Sequence, residues 1–465
     1  MHTTADRKCI SKYKVYMSER YTSLAPAYAV YYENYYPYEE IVEWLTYHGS
    51  VLTQRREWSY EIITATDETF VARFREISDA EQLRSILRFS SKTLEDFKLK
   101  LDIGPVYTSD MSQRKTQPEF APCERELVFD IDAGDYDRIR TCCAGPAMCD
   151  KCWRFMELAV PLLILFCRVH GFNDYFFVFS GRRGLHCWIC DARARKLSKD
   201  SRKSMVDAFN IISIDTGSVL RESYDHSNWL CRLIHDHICI RFFSQMLEEQ
   251  NWLGGGVEKH LAKYSKESLL TELRRADSAL LSSAPIFFFL HITLCIYSCL
   301  VAGGYPVTTG SAKNSDGRFA SLLTTFIGKL TMITSSAARW TELELLIKDY
   351  DPILAAIRVY YTYPRFDVEV TRGMNHLLKI PFSVHSKSRK ISVPFPPAPI
   401  LKTYSIDTGV LQLGPLDTDD SLPRFLPSDA PTVDDLLSRH TEHYFKYRTY
   451  FSRIVHQVAA PYDGT

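Results

Sequence analysis

Residues 126–132 read ELVFDID, and the rest of the chain is organised around that run. Leu127 to Phe129 and Ile131 are apolar, so the run predicts a buried strand that reaches a polar edge. Asp130 and Asp132 stand two positions apart, and side chains at that spacing leave a strand from one face. Two carboxylates on one face repel each other unless a cation lies between them. Oxygen donors of this kind suit Mg²⁺ or Mn²⁺. A lone D-x-D is a weak pattern, and turn-capping acids are the plainer reading. A clamp on two metals about 3.5–4 Å apart calls for a further carboxylate. Asp367, in the apolar run YPRFDVEV, is the candidate, and a second short strand is expected there. A solvent-facing strand acid is the alternative.

Working outward, the next segment holds four of the thirteen cysteines. Cys142, Cys143, Cys149 and Cys152 have the spacing CC-x5-C-x2-C. Thiolates this dense favour a closed tetrahedral Zn²⁺ site, structural because no coordination position is left open. A redox pair or free thiols is the alternative. The remaining cysteines, Cys187 and Cys190 among them, read as core.

Residues 180–186, SGRRGLH, lie between the apolar strands YFFVF and LHCWIC. Gly181 and Gly184 allow a tight turn and close approach by a ligand. Arg182 and Arg183 offer planar forks matched to phosphate oxygens, and Ser180 and His186 add polar groups. No G-x-x-x-x-G-K-[ST] occurs, so this is not a P-loop. An ordinary hairpin tip with exposed arginines is the alternative. A second group, Lys379 and His385 in GMNHLLKIPFSVH, follows Asp367 closely. Taken alone, these are unremarkable basic residues.

The other elements frame an α+β body. Residues 24–48 carry aromatics at helical spacing, WSYEII and TFVARF read as a hairpin, and 79–99 read as a helix. KLDIGPVY (100–107) reads as a strand, and 153–169 as a long core helix. Residues 204–350 read as helices and polar connections, and 432–458 as one final amphipathic helix. The expected division is a catalytic body at 1–203 with a zinc module near 138–155, a helical insertion at 204–350, and a returning catalytic part at 351–465.

Composition bounds the class. Hydrophobic residues are 46% and charged residues 24%, ordinary for a globular protein, and Lys plus Arg balances Asp plus Glu at 56 each. A zero balance does not exclude nucleic acid, because a local basic patch decides that. The start, MHTTADRKC, has no apolar run, so a reduced intracellular compartment is expected. Residues 286–302, IFFFLHITLCIYSCLVA, approach the length of a membrane span. They contain His291, Thr293 and Ser298 and lack basic anchors, so a buried core helix is expected and no membrane.

Together, ELVFDID, CC-x5-C-x2-CW, FSGRRGLHCWICD and PRFDVEVTRGMNHLLKIPFSVH resemble the small catalytic subunit of archaeo-eukaryotic DNA primase. YYPYEEIVEWL, RREWSYE and KLDIGPVY are also similar. The resemblance covers about 25–204 and 335–396, and the joint order of these segments makes it specific. It implies an archaeo-eukaryotic primase fold with an RRM-like mixed or antiparallel sheet and a helical subdomain. It implies that Asp130, Asp132 and Asp367 hold catalytic Mg²⁺ or Mn²⁺. It assigns the triphosphate to Ser180, Arg182, Arg183, His186, Lys379 and His385, with Arg73 and Asp102 facing the nucleotide. Zn²⁺ falls to Cys142, Cys143, Cys149 and Cys152.

The function so implied is synthesis of short RNA primers from NTPs on a single-stranded DNA template by two-metal nucleotidyl transfer. The implied partners are a primase large subunit and a replicative DNA polymerase complex, and the implied location is the nucleus. Two rivals stand beside it. A repair-type primase-polymerase would favour deoxynucleotides and often carries a C-terminal zinc module, which is not evident after 396. An inactive zinc-stapled nucleic-acid-binding scaffold would not need three clustered acids.

Overall fold

The alternation in WSYEII and TFVARF folds as a hairpin, β1 (Arg56–Thr64) against β2 (Thr69–Arg75). The structure, a computed structural model, describes residues 25–211 except 48, 50, 65–68, 94–96 and 138. It further describes 228–254, 329, 332–346, 351–397, 403–405, 410–412 and 424–458. The apolar stretch 286–302 lies outside the described residues. No helix among them is long and apolar enough to cross a membrane.

β1 also pairs with β3 (Phe97–Tyr107), and β3 with β4 (Pro122–Glu124). A second sheet holds β5 (Leu127–Asp132), β6 (Tyr175–Phe179) and β7 (Gly184–Ile189) in the order β5-β7-β6, with β9 (Pro394–Phe395) beyond β6. β8 (Leu378–Lys379) joins the first sheet at β3. All of these pairings are antiparallel. The segment from β8 to β9 therefore leaves one sheet and enters the other, which brings Lys379 to the second sheet's edge.

The second sheet is buried on both faces, and strand alternation sorts its side chains. Phe129 meets Phe166, at 4.8 Å between ring centroids, on the helix Asp150–His170. Phe179 meets Trp153 of the same helix at 5.7 Å. On the other face Phe176 and Trp188 pack on Trp44, at 5.3 and 5.2 Å. The helix Glu442–Val458 closes that face through Phe451. Phe129 is fully buried, and truncating such a ring to alanine costs about 3–5 kcal/mol. Asp130 and Asp132 follow the alternation onto the Trp188 face and are only partly buried there.

Glu126, just before β5, locks the two sheets together. Its carboxylate pairs with Arg56 of β1 at 2.8 Å and accepts from the Tyr47 hydroxyl at 2.6 Å, all buried. Arg56 donates onward to the Gly104 carbonyl of β3 at 3.2 Å.

Several expectations need correction. Residues 366–370 are not a strand: Asp367 caps the short helix Val368–Arg372 by accepting from the Val370 amide at 3.1 Å. Its valines suggested β structure, but an N-cap acid followed by Gly373 at the other end defines a helical turn. Residues 432–458 form two helices, Val433–Leu437 and Glu442–Val458, and Arg439 between them is left-handed at φ 64°. Residues 24–48 likewise divide into Ala25–Asn34 and Tyr38–Thr46, since Pro37 disfavours helix in the residue before it. The helix predicted over 79–99 stops at Thr93, and β3 begins at Phe97. Within 204–350 the described elements are helical, among them Trp229–Ile234, Ile240–Glu249 and Ser336–Leu346.

Candidate active site and metal-binding groups

The three acids come together. Asp130 and Asp132 lie on β5, and the Asp367 amide donates to the Asp130 carbonyl at 3.0 Å. The cap at Asp367 thus docks onto the acidic strand. Burial, then Asp367 and then Asp132 push the Asp130 carboxyl up to about 7. Burial and the same acids lift Asp135 to about 6, although Arg365 opposes this. In Asp130 and Asp135 burial and the neighbouring acids outweigh the nearby basic groups, and the all-oxygen donor set fits a hard divalent cation. Asp132 already has one counter-charge, Arg183 Nε at 2.8 Å from Oδ1.

A set of basic residues faces the acids. His186 sits opposite Asp130 in the β5–β7 register, with Nε2 at 3.5 Å from Oδ1. Burial, then Lys379, hold the imidazole down to about 3, so it is neutral near pH 7. Its Nδ1 is buried with no protein partner.

Lys379 donates to the Ser180 carbonyl at 3.2 Å and is pushed down by burial to about 8. His385 is held down to about 4 by burial, then by Lys379, Arg182 and Lys387. The amides of Lys387 and Ser388 donate to His385 Nδ1 at 3.3 and 3.2 Å, which places the imidazole proton on Nε2. Gly181 makes this closeness possible. Its φ is +90°, and a Cβ there would stand 3.0 Å from the His385 Cβ. Ser180 Oγ accepts from the Gly184 amide at 2.8 Å and closes the turn.

Asp102 and Lys379 are register partners on β3 and β8. Burial raises Asp102, while Lys100, Lys379 and Arg73 act against the rise. Arg73 is anchored by buried Glu57, at 2.9 Å, and remains about 40% exposed. Asp130, Asp132, Asp367, His186, Lys379, His385 and Asp102 are thus linked where β8 joins β3, with Arg73 further out on β2. One pair divides: the charge of Arg182 falls on His385, whereas Arg183 turns to Asp132.

Sequence reading passed over His376, Asp135, Arg365 and Glu57. His376 is exposed at the surface, lowered mainly by local desolvation and then by Arg125, and sits in the field of Asp367 and Asp130. It lines a cavity of about 490 Å³ with Tyr107, Glu369, Arg372 and Asn375. Asp135 stands three residues past Asp132, and its place one turn beyond a strand end was the available clue.

The Cys142, Cys143, Cys149 and Cys152 sulfurs all lie within 4.8 Å of one another. A tetrahedron with Zn–S near 2.3 Å sets sulfurs about 3.8 Å apart. Cys149 and Cys152 already stand at 3.7 Å. Cys152 is held down to about 5 by its contact with Cys142, with the Cys149 amide and Arg140 adding to it. Such a group can hold one structural ion. Gln250, from the helical segment, donates to Cys142 Sγ at 3.4 Å.

A fold of two joined antiparallel sheets, three converging acids and a four-cysteine loop has clear relatives. The family model for the DNA primase small subunit matches residues 129–397. The chain is 32% identical over 383 residues to the DNA primase small subunit of Drosophila melanogaster, covering 80% of this chain and 77% of that one. It is 30% identical over 421 residues to that of Schizosaccharomyces pombe, covering 88% and 76%. The archaeal PriS of Pyrococcus abyssi is 28% identical over 195 residues, 40% of this chain and 56% of that one. The chain belongs to the DNA primase small subunit family.

Proposed function

We propose that this chain is the catalytic subunit of a primase, which joins ribonucleotides into short primers on single-stranded DNA for replication. The observation that carries this reading is the docking of Asp367 onto Asp130 beside Lys379, His385 and the Ser180–Gly184 turn. Phosphoryl transfer needs positioning and charge neutralisation more than covalent help from the protein. Asp130, Asp132 and Asp367 would hold Mg²⁺ or Mn²⁺. Metal held by these carboxylates would supply activation of the 3′-hydroxyl and charge neutralisation of the departing pyrophosphate.

The side chains divide the remaining work. Lys379 and Arg182 present charge to the triphosphate. His385 donates from Nε2 and stays neutral, so it orients phosphate oxygens without adding charge. His186 lies beside Asp130 as a neutral imidazole and has Nδ1 without a protein partner. Asp102 and Arg73 face the nucleotide. The four cysteines bind structural Zn²⁺. The partners of this reading are single-stranded DNA, NTPs, a primase large subunit and a replicative polymerase, working in the nucleus.

The test is primer synthesis on single-stranded DNA with NTPs or dNTPs, with and without a large subunit. Incorporation of NTPs that depends on divalent metal supports the reading. A strong preference for dNTPs moves the chain to the repair-type class. No nucleotide addition under any condition leaves only the scaffold.

A further inference from the structure

We propose that Arg183 is a positioning residue that ties the cysteine loop to the metal-binding acid Asp132, rather than a contact to phosphate. The inference rests on the nucleotidyl-transfer reading above and assigns the second arginine of the SGRRG turn a task of its own.

Four contacts fix Arg183. Its Nε lies 2.8 Å from Asp132 Oδ1 and donates to Oδ2 at 3.2 Å. Its Nη1 donates to the Gly145 carbonyl, inside the cysteine loop, at 2.9 Å. Its own carbonyl accepts from the Ala133 amide, next to Asp132, at 3.1 Å. The guanidinium thus spans the gap between the acid and the loop. Its side chain is only about a quarter exposed.

The Gly145 carbonyl is held from the other side. Arg140 Nη2 donates to it at 2.9 Å, and Arg140 Nη1 donates to the Ala147 carbonyl at 2.7 Å and to Cys152 Sγ at 3.8 Å. A continuous polar path therefore runs from Cys152 through Arg140, Gly145 and Arg183 to Asp132. Groups behind a metal ligand set its aim, and this path supplies that support from a second metal site.

Packing at the acid end is tight. The Gly134 amide donates to Asp132 Oδ1 at 2.6 Å. A Cβ at Gly134 would lie 2.8 Å from Asp132 Oδ1 and 2.9 Å from Arg183 Nη2. Arg183 and the Gly134 amide therefore hold both oxygens of the Asp132 carboxylate on one side. Arg182, one residue earlier, sends its charge to His385 instead. Neighbouring arginines on one turn therefore serve opposite walls of the site.

The charge-conserving variant Arg183→Lys isolates this role, because an ammonium cannot span both acceptors as a fork does. Mn²⁺ binding to the full chain without nucleotide is read by EPR of the free ion, with circular dichroism as the fold control. Arg183→Lys is expected to weaken Mn²⁺ binding roughly tenfold. It should lower kcat while leaving KM for NTP within about threefold of wild type. Arg182→Lys should do the reverse, raising KM with Mn²⁺ binding unchanged. If Arg183→Lys keeps wild-type Mn²⁺ affinity and raises KM as Arg182→Lys does, the proposal is overturned. Should Arg183→Lys fail to fold, Gly134→Ala, which presses on the same pair, must show the same split.

The link to the cysteine loop is read with Arg140→Lys. It should weaken Mn²⁺ binding in the wild-type background and add nothing in the Arg183→Lys background. An equal factor in both backgrounds, or none in either, breaks the path. Primer synthesis by wild type is measured alongside. Its absence removes the reaction reading, whereas synthesis combined with unchanged Mn²⁺ affinity in Arg183→Lys removes only the positioning claim.

Discussion

The amide of Asp367 donates to the carbonyl of Asp130 at 3.0 Å, so a helix cap from the last third of the chain is bolted to the acidic strand from its first third. The bond is between backbones. It does not involve the Asp130 carboxylate, which makes that position open to test by substitution.

Asp130→Asn should abolish most nucleotide addition and spare the fold. Removal of one stabilising group at a charge-developing centre costs about 10²–10³ in rate. The carboxyl is already raised to about 7 by burial and by its acidic neighbours, so a neutral isostere relieves repulsion. Primer extension should fall by at least about a hundredfold, while Tm stays level or rises. A lower Tm with retained activity would contradict both halves.

Lys379 gives nucleotide binding a pH dependence. Its pKa in the free protein is depressed to about 8, and triphosphate binding favours the charged form. Binding is then linked to proton uptake once pH climbs past 8, and affinity should weaken from there upward. Fluorescence titration with an NTP between pH 7 and 10 checks this. Lys379→Met should bind more weakly and lose that slope.

Glu126 predicts an acid limb in stability. Its carboxyl is held down to about 2 by Arg56 and Tyr47 in spite of burial. A depressed folded pKa adds stability that is fully present above the ordinary glutamate value and lost as pH falls toward 2. Urea midpoints should therefore drop between about pH 4.5 and 2. Glu126→Gln leaves Arg56 buried without its charge partner, at a cost of about 3–5 kcal/mol, and should flatten part of that limb.

The cysteine group should hold one zinc per chain. Cys149→Ser should release it and lower Tm, since a metal on these thiols would close the loop that leads into the helix Asp150–His170. Metal analysis paired with calorimetry reads both. A full zinc complement in Cys149→Ser would disprove the four-thiolate assignment.

Much of the site was legible because chemistry and periodicity agreed. ELVFDID read as a strand with two acids on one face, and β5 has that form. SGRRGLH read as a tight turn between strands, and Gly181 supplies the left-handed residue. The cysteine spacing implied a closed group, and the sulfurs are gathered. What failed was local rather than chemical. Asp367 lies among β-prone valines, yet its side chain satisfies a helix amide, a tertiary choice that propensity does not encode. Arg183 could not be told from Arg182 in one dimension, because their difference lies in which wall each faces. His376 and Asp135 gain relevance only through the docking of the Asp367 cap on β5, which the sequence does not show.

The central claim is that Asp130, Asp132 and Asp367 share divalent cations beside a triphosphate cradle. Crystals grown with Mn²⁺ and a non-hydrolysable NTP test it directly through anomalous scattering. The account predicts manganese peaks bridged by these three carboxylates, with the triphosphate against Arg182, Lys379 and His385. Nucleotide bound with no manganese at the three acids, or manganese held elsewhere, would contradict it.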